Sequence, residues 1–154
     1  MNLKPEDAEV FLSWLRTQIP LVSAMQIDQL SLNDRVLTLS APLSANINDK
    51  GTGFAGSLAA LSTLSGWCLT TLYLRSQGLD CDVMIAESQI KYLKPVTTDF
   101  QACVSLPDDD VLHPFLLRIR EKGRGKLPLQ VEIQEQGKTA LILEGVYYAA
   151  ARAV

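Results

Sequence analysis

The chain has one histidine, three cysteines and no surplus of positive charge. One histidine and scattered thiols form no metal-ligand cluster, so no metal is expected. Cys68, Cys81 and Cys103 are odd in number and show no C-x-x-C spacing. That pattern fits free thiols in a reducing compartment better than a disulfide framework. A net charge of −3 gives no general attraction to nucleic acid or to anionic lipid. Met1 to Asp7 lack the basic and apolar regions of a secretion signal, so the cytoplasm is the expected location. Internal repeats, low-complexity tracts and linkers are also missing. With 154 residues, a single domain over 1–154 is expected.

Charge is absent from one long stretch. After Lys50 no charged residue occurs until Arg75. About 20 apolar residues span a bilayer. Here Ser57, Ser62, Thr63, Ser65, Thr70, Thr71 and several glycines dilute the run. No second span follows, and a soluble helix buried nearly all round is the better reading. Its lead-in is a polar turn, Asn46-Ile47-Asn48-Asp49-Lys50-Gly51-Thr52-Gly53. Such a turn feeding a helix leaves free N–H groups and a positive dipole end at the helix start. A site there is one built to hold an oxygen anion or a polarised carbonyl.

The rest of the chain supplies a wrapper. Apolar residues make up 47% of the sequence, enough for a full core. Pro5 to Gln18 reads as an amphipathic helix, with Val10, Phe11, Trp14 and Leu15 on one face and Pro20 ending it. Met25 to Leu32 and Leu37 to Leu43 read as strands joined by an Asn33-Asp34 turn. The central helix is expected from about Ala55 to Gln77, stopped by Gly78. Strands are then expected over Val83–Leu93, Asp99–Leu106, Leu127–Gln134 and Thr139–Ala149, with a short helix inside Pro107–Lys126. This order predicts an α+β fold in which a six-stranded antiparallel sheet curls round one central helix.

Three pieces of the chain resemble the hotdog-fold thioesterases. Asn48-x-x-Gly51 leading through Ala55-Gly56 into the long helix is similar to that family's Asn-x-x-Gly-x-x-His-Gly-Gly. Ile90-Lys91-Tyr92-Leu93-Lys94-Pro95-Val96 is similar to the strand that hotdog proteins run beside the helix. Asp99-Phe100-Gln101-Ala102-Cys103-Val104 is similar to the strand that follows. The chain most resembles the thioesterase domain sometimes fused behind an N-acetyltransferase domain. The resemblance implies a homodimer or dimer of dimers with each site between two protomers. It also implies an acyl-CoA or acyl-carrier thioester as substrate, and no cofactor beyond the coenzyme A that the substrate carries.

The departures from that pattern shape the site. Phe54 stands where the family motif has histidine, and Thr63 stands where many members carry a catalytic carboxylate. His113 lies far from the loop in sequence, which disfavours a histidine-dependent dehydratase. Asp49 is the only carboxylate in the loop. It is either the general base for a water or a turn aspartate capping N–H groups. Asn48 either orients that water or caps the turn. The N–H groups of Ala55 and Gly56 would form an oxyanion hole. Thr63 either positions water or substrate, or bonds back to a helix carbonyl, and Ser57 offers a second hydroxyl near the helix start. Gly51 serves backbone geometry. Phe54, Trp67 and Tyr92 either wall an acyl pocket or belong to the core. Lys94 is the preferred cation for the phosphates of coenzyme A.

The expected function is thioester hydrolysis. A non-catalytic acyl-CoA or acyl-carrier binding module is the alternative. A third reading, acetyl transfer, rests on Arg120-x-x-Gly123-x-Gly125, a pattern that binds pyrophosphate between a strand and a helix. Here a helix is expected before it and a strand after it.

Overall fold

A computed structural model of the protein describes residues 1–153. Ten elements follow one another: α1 (Pro5–Gln18), α2 (Pro20–Ala24), β1 (Gln29–Asn33), β2 (Val36–Ala41), α3 (Ala55–Ser76), β3 (Cys81–Tyr92), β4 (Phe100–Ser105), α4 (Asp109–Lys122), β5 (Arg124–Glu135) and β6 (Lys138–Ala151). The six strands form one sheet in the order β1-β2-β4-β5-β6-β3, every pair antiparallel.

The uncharged helix is the axis of the fold. α3 packs against β2, β3, β4, β5 and β6, so the sheet curls round it. Leu61, Cys68 and Leu69 are fully buried. Each leucine contributes about 1.5–3 kcal/mol by leaving water. By length and composition α3 could cross a membrane, but 67% of its most apolar window is buried inside the fold. Ser65 and Thr70 donate to the carbonyls of Leu61 and Gly66, four residues back, which satisfies hydroxyls that burial would otherwise strand.

Two short hairpins set the register. Asp34 and Arg35 join β1 to β2, both with positive φ, 46° and 70°. Gln136 and Gly137 do the same between β5 and β6, at 51° and 73°. Positive φ at both central residues matches the right-handed twist of the flanking strands. Arg35 is held in this conformation by its guanidinium, which donates to the Pro107 carbonyl at 2.5 Å and to Asp109 at 3.1 Å.

Several boundaries differ from the sequence reading. Pro20 does not only end α1; it opens α2, where a missing N–H costs nothing. The segment from Met25 to Asp28 is therefore the exit from α2, and β1 starts at Gln29. β5 starts at Arg124, because Gly123 closes α4 in the left-handed conformation (φ 69°) and frees the next residue to extend. In β3 an extra residue, Ala86, sits between Ile85 and Glu87 opposite Tyr147 and Val146. The bulge reverses the alternation, so Val83 and Ile85 turn inward before it and Ile90 after it.

Candidate functional site

The loop before α3 is built by asparagine side chains. Asn46, 2% exposed, donates through Nδ2 to the carbonyls of Met25 (2.9 Å) and Pro42 (2.8 Å). Its backbone carbonyl accepts from the Phe54 N–H at 2.8 Å. Asn48 then folds the tip. Its Oδ1 accepts from the N–H groups of Lys50 (2.9 Å) and Thr52 (3.0 Å), and its Nδ2 donates to the Thr52 hydroxyl (2.9 Å). Gly51 sits between them at φ 79°, where a side chain would be strained. The amide of Asn48 is thus engaged in the turn. Asp49 points outward: its side chain is 80% exposed and pairs with Lys50 Nζ at 2.9 Å.

The loop is also tied to the segment after β3. The Gly53 N–H donates to the Val96 carbonyl at 2.8 Å, and the Leu43 N–H to Asp99 Oδ1 at 2.8 Å. That segment is pinned in turn by Glu135. The Glu135 side chain is buried, and its Oε1 accepts from the Thr97 N–H (3.2 Å) and the Thr97 hydroxyl. Its Oε2 accepts from the Thr98 hydroxyl at 3.3 Å. The Thr97 hydroxyl holds the carboxyl below its ordinary range, against the opposing pull of desolvation.

The amino end of α3 is open. No side chain caps it, and the N–H groups of Ala55, Gly56 and Ser57 have no acceptor among the described residues. Ala55 and Gly56 are exposed. Phe54 lies across Gly56: a Cβ there would meet the Phe54 ring at 2.6 Å. Tyr92, at the end of β3, donates its hydroxyl to the Ala55 carbonyl at 3.3 Å. Phe54 and Tyr92 are 53% and 51% exposed, so two aromatic rings flank a set of unpaired donors. This pairing of apolar walls with oriented N–H dipoles suits a neutral carbonyl that becomes an oxyanion.

Thr63 and Trp67 sit further along the same helix. Both line an apolar groove of about 380 Å³ between α2 and α3, with Ile85 of β3 at its side. The Thr63 carbonyl is held by the buried Tyr147 hydroxyl at 2.9 Å. Trp67 donates through Nε1 to the Val83 carbonyl at 2.7 Å and stacks on Trp14, ring centroids 6.3 Å apart. Arg75 lies over the Trp14 ring at 5.0 Å, adding a cation–π contact between α1 and α3.

The predicted residues therefore fall into separate groups. Phe54, Ala55, Gly56, Ser57 and Tyr92 cluster at the helix start. Thr63 and Trp67 share the groove. Asn48 and Gly51 form the loop, and Asp49 stands at its exposed tip. Lys94 lies beyond β3, its N–H bonded to the Ala140 carbonyl. Residues 120–125 run from the end of α4 into β5, so the acetyl-transfer pattern has a helix before it and a strand after it. Sequence reasoning missed Asn46 as the anchor of the loop and α2 as a wall of the groove. The polar run from Asn46 to Asn48 and the position of Pro20 carried the available signals.

An antiparallel sheet wrapped round one long helix defines a hotdog-fold protein. The family described as "Putative thioesterase (yiiD_Cterm)" matches residues 9–151, and the chain belongs to it. A protein from Shewanella oneidensis named as a "putative thioesterase" is 32% identical over 94% of this chain and 99% of its own, with a TM-score of 0.84. A protein of unknown function from Chlorobaculum tepidum TLS is 25% identical over 97% of this chain and 98% of its own, with a TM-score of 0.89. A thioesterase from Haemophilus influenzae shares the fold at 14% identity, covering 98% of this chain and 93% of its own, with a TM-score of 0.71.

Proposed function

We propose that the protein hydrolyses acyl-CoA thioesters at the amino end of α3. The observation that carries this reading is the uncapped, exposed helix start, where the Ala55, Gly56 and Ser57 N–H groups lack acceptors between Phe54 and Tyr92. Water attacks the thioester carbonyl, whose oxygen takes the negative charge. The N–H groups stabilise that oxyanion; one such donor is typically worth about 2.7–4 kcal/mol in the transition state. The carbon–sulfur bond then breaks, and the departing thiolate takes up the proton that water loses, leaving a carboxylic acid and free coenzyme A. Asp49 carries that proton, Asn48 holds the loop that presents it, and Thr63, further along α3, meets the acyl group. Lys94 meets the phosphates of coenzyme A.

The working unit in this proposal is a homodimer, alone or paired into a dimer of dimers. Among the described residues β3 pairs with β6 alone, which leaves one side of a twelve-residue strand open. Pairing that edge with a second copy continues the sheet and removes a liability. It also brings new groups to the exposed Asp49 and Tyr92. The three free thiols, Cys68, Cys81 and Cys103, suit a cytoplasmic setting.

A panel of acyl-CoAs with purified protein and a thiol-detecting reagent tests the reading. Thiol release that is unchanged in Asp49→Ala removes the role assigned to that carboxylate. A second reading, a non-catalytic acyl-CoA or acyl-carrier binding module, draws support from the solvation of Asp49 and its pairing with Lys50. Tight acyl-CoA binding without thiol release selects it.

A further inference from the structure

A polar cavity of about 360 Å³ lies at the far end of α3. The β1–β2 turn, the last turn of α3 and one face of α4 enclose it. From α4 come Asp109, Leu112, His113, Leu116 and Arg120, a three- and four-residue spacing that lines up one helix face. Helical side chains lean toward the helix start, so Arg120 is directed back toward Leu116 and His113. Tyr73 and Gln77 enter from α3, and Arg35 from the turn.

Donors outnumber acceptors here. Arg35 donates to Asp109 Oδ1 at 3.1 Å and to the Pro107 carbonyl at 2.5 Å. That pairing uses the one carboxylate in the lining. Among the described residues, the Arg120 guanidinium, the His113 ring and the Tyr73 hydroxyl have no hydrogen-bond or ion-pair partner. Gln77 donates to the Ser76 hydroxyl at 3.4 Å and keeps a second N–H. Tyr73 is 8% exposed, so its phenol meets the outside through this cavity. Burial and the Asp109 charge push that phenol up, and the Arg35 and Arg120 charges pull it down, so both cations act on one hydroxyl.

Charge and geometry select the ligand. Two guanidiniums against one carboxylate leave the lining positive, which favours an anion. A single arginine fork satisfies a carboxylate. Arg120, His113, Tyr73 and Gln77 together match the three acceptor oxygens of a phosphate monoester better. Leu106, Leu112 and Leu116 line the same space and give a small organic group an apolar surface.

We propose that this cavity binds a small phosphate monoester, its phosphate held by Arg120, His113 and Tyr73 and its organic part lying on Leu112 and Leu116. The cavity is separate from the candidate thioester site. Tyr73 and Ala55 lie on the same helix, about 27 Å apart at the helical rise. Gly123 and Gly125 do not line it, so Arg120 acts without the rest of the pyrophosphate-binding pattern. Coenzyme A also carries a phosphate monoester, and the test separates the two sources.

The test uses the whole untagged chain, whose only histidine is His113. Its ring protons give one set of signals in a proton NMR spectrum. Phenyl phosphate is titrated to about 10 mM, enough to fill a site of millimolar Kd. Inorganic phosphate and benzoate are the comparisons. Phenyl phosphate should shift the His113 signals saturably, inorganic phosphate should bind more weakly, and benzoate about tenfold more weakly or worse. Arg120→Gln, at an exposed position, should weaken phenyl phosphate binding about tenfold or more. Arg120→Lys keeps the charge without the fork and should restore part of that loss. Tyr73→Phe should weaken binding severalfold, with thermal melts confirming that each variant folds. The absence of a saturable shift, or equal binding by folded Arg120→Gln, overturns the proposal. Benzoate binding as tightly as phenyl phosphate overturns the choice of phosphate. Displacement of phenyl phosphate by coenzyme A, together with a raised KM for acyl-CoA in Arg120→Gln, joins the cavity to the thioester site and overturns its separateness. The His113 signals report binding whether or not the protein hydrolyses thioesters, so failure of either reading is seen independently of the other.

Discussion

The Tyr147 hydroxyl donates to the carbonyl oxygen of Thr63 across 2.9 Å, and it reaches that oxygen because residue 66 has no side chain. A Cβ at Gly66 would stand 2.1 Å from the Tyr147 oxygen. One sheet residue thereby fixes the rotation and depth of α3 beside the groove. Burial pushes the Tyr147 phenol up, so it stays a donor throughout the physiological range.

Gly66→Ala is expected to cost about 1–3 kcal/mol or more in unfolding free energy, because ring and backbone must move apart. Tyr147→Phe is expected to cost about 1–2 kcal/mol through loss of a buried hydrogen bond. The two effects should not add, since the substitutions strain one contact. Urea denaturation of both single variants and the double variant measures this coupling.

Glu135 makes a pH-dependent contribution. Its folded-state pKa lies below its unfolded value, chiefly through the Thr97 hydroxyl. A depressed carboxylate pKa stabilises the fold above the unfolded value of about 4.3, and that stability is lost as pH falls through the folded pKa. Glu135→Gln should therefore flatten the acid limb of a stability-versus-pH curve. It should also lower stability at neutral pH by about 1–3 kcal/mol, as the donors of Thr97 and Thr98 lose a charged acceptor. Thermal melts at several pH values report both effects.

Asn48 and Gly51 support the loop rather than the core. Gly51→Ala puts a side chain at φ 79° and is expected to cost about 1–2 kcal/mol. Asn48→Ala releases three hydrogen bonds within the tip. Both should lower kcat/KM by more than their effect on the melting temperature implies. Thiol-release kinetics set beside thermal melts separates the two contributions.

Thiol chemistry should follow burial. Cys68 is fully buried and its thiol is pushed up, whereas Cys103 is exposed. Iodoacetamide at mildly alkaline pH should label Cys103 in the folded protein, and Cys68 only after denaturation. Peptide mass spectrometry distinguishes them.

The long uncharged run made the central helix legible, and clean alternation marked β2 and β5. Other features were hidden for physical reasons. Pro20 can stop one helix or start another, and only the turn at Ile19 decides which. The alternation of β5 continues back through Gly125, which is buried but has no side chain to reveal a face. For Asn48 both readings used the same residue type, and its role in the turn became visible only with the Thr52 and Lys50 contacts. The keying of Tyr147 into Gly66 joins residues 81 positions apart in sequence, so no local pattern announces it.

α2 is five residues long, and of these only Val22 is buried. Leu21, on the groove's outer wall, is 54% exposed. Substitutions at Leu21 can therefore reshape the groove while the folding free energy stays close to where it is. The outer wall of the groove and the curled sheet round its helix thus lie in separate parts of the chain, and the first can change without disturbing the second.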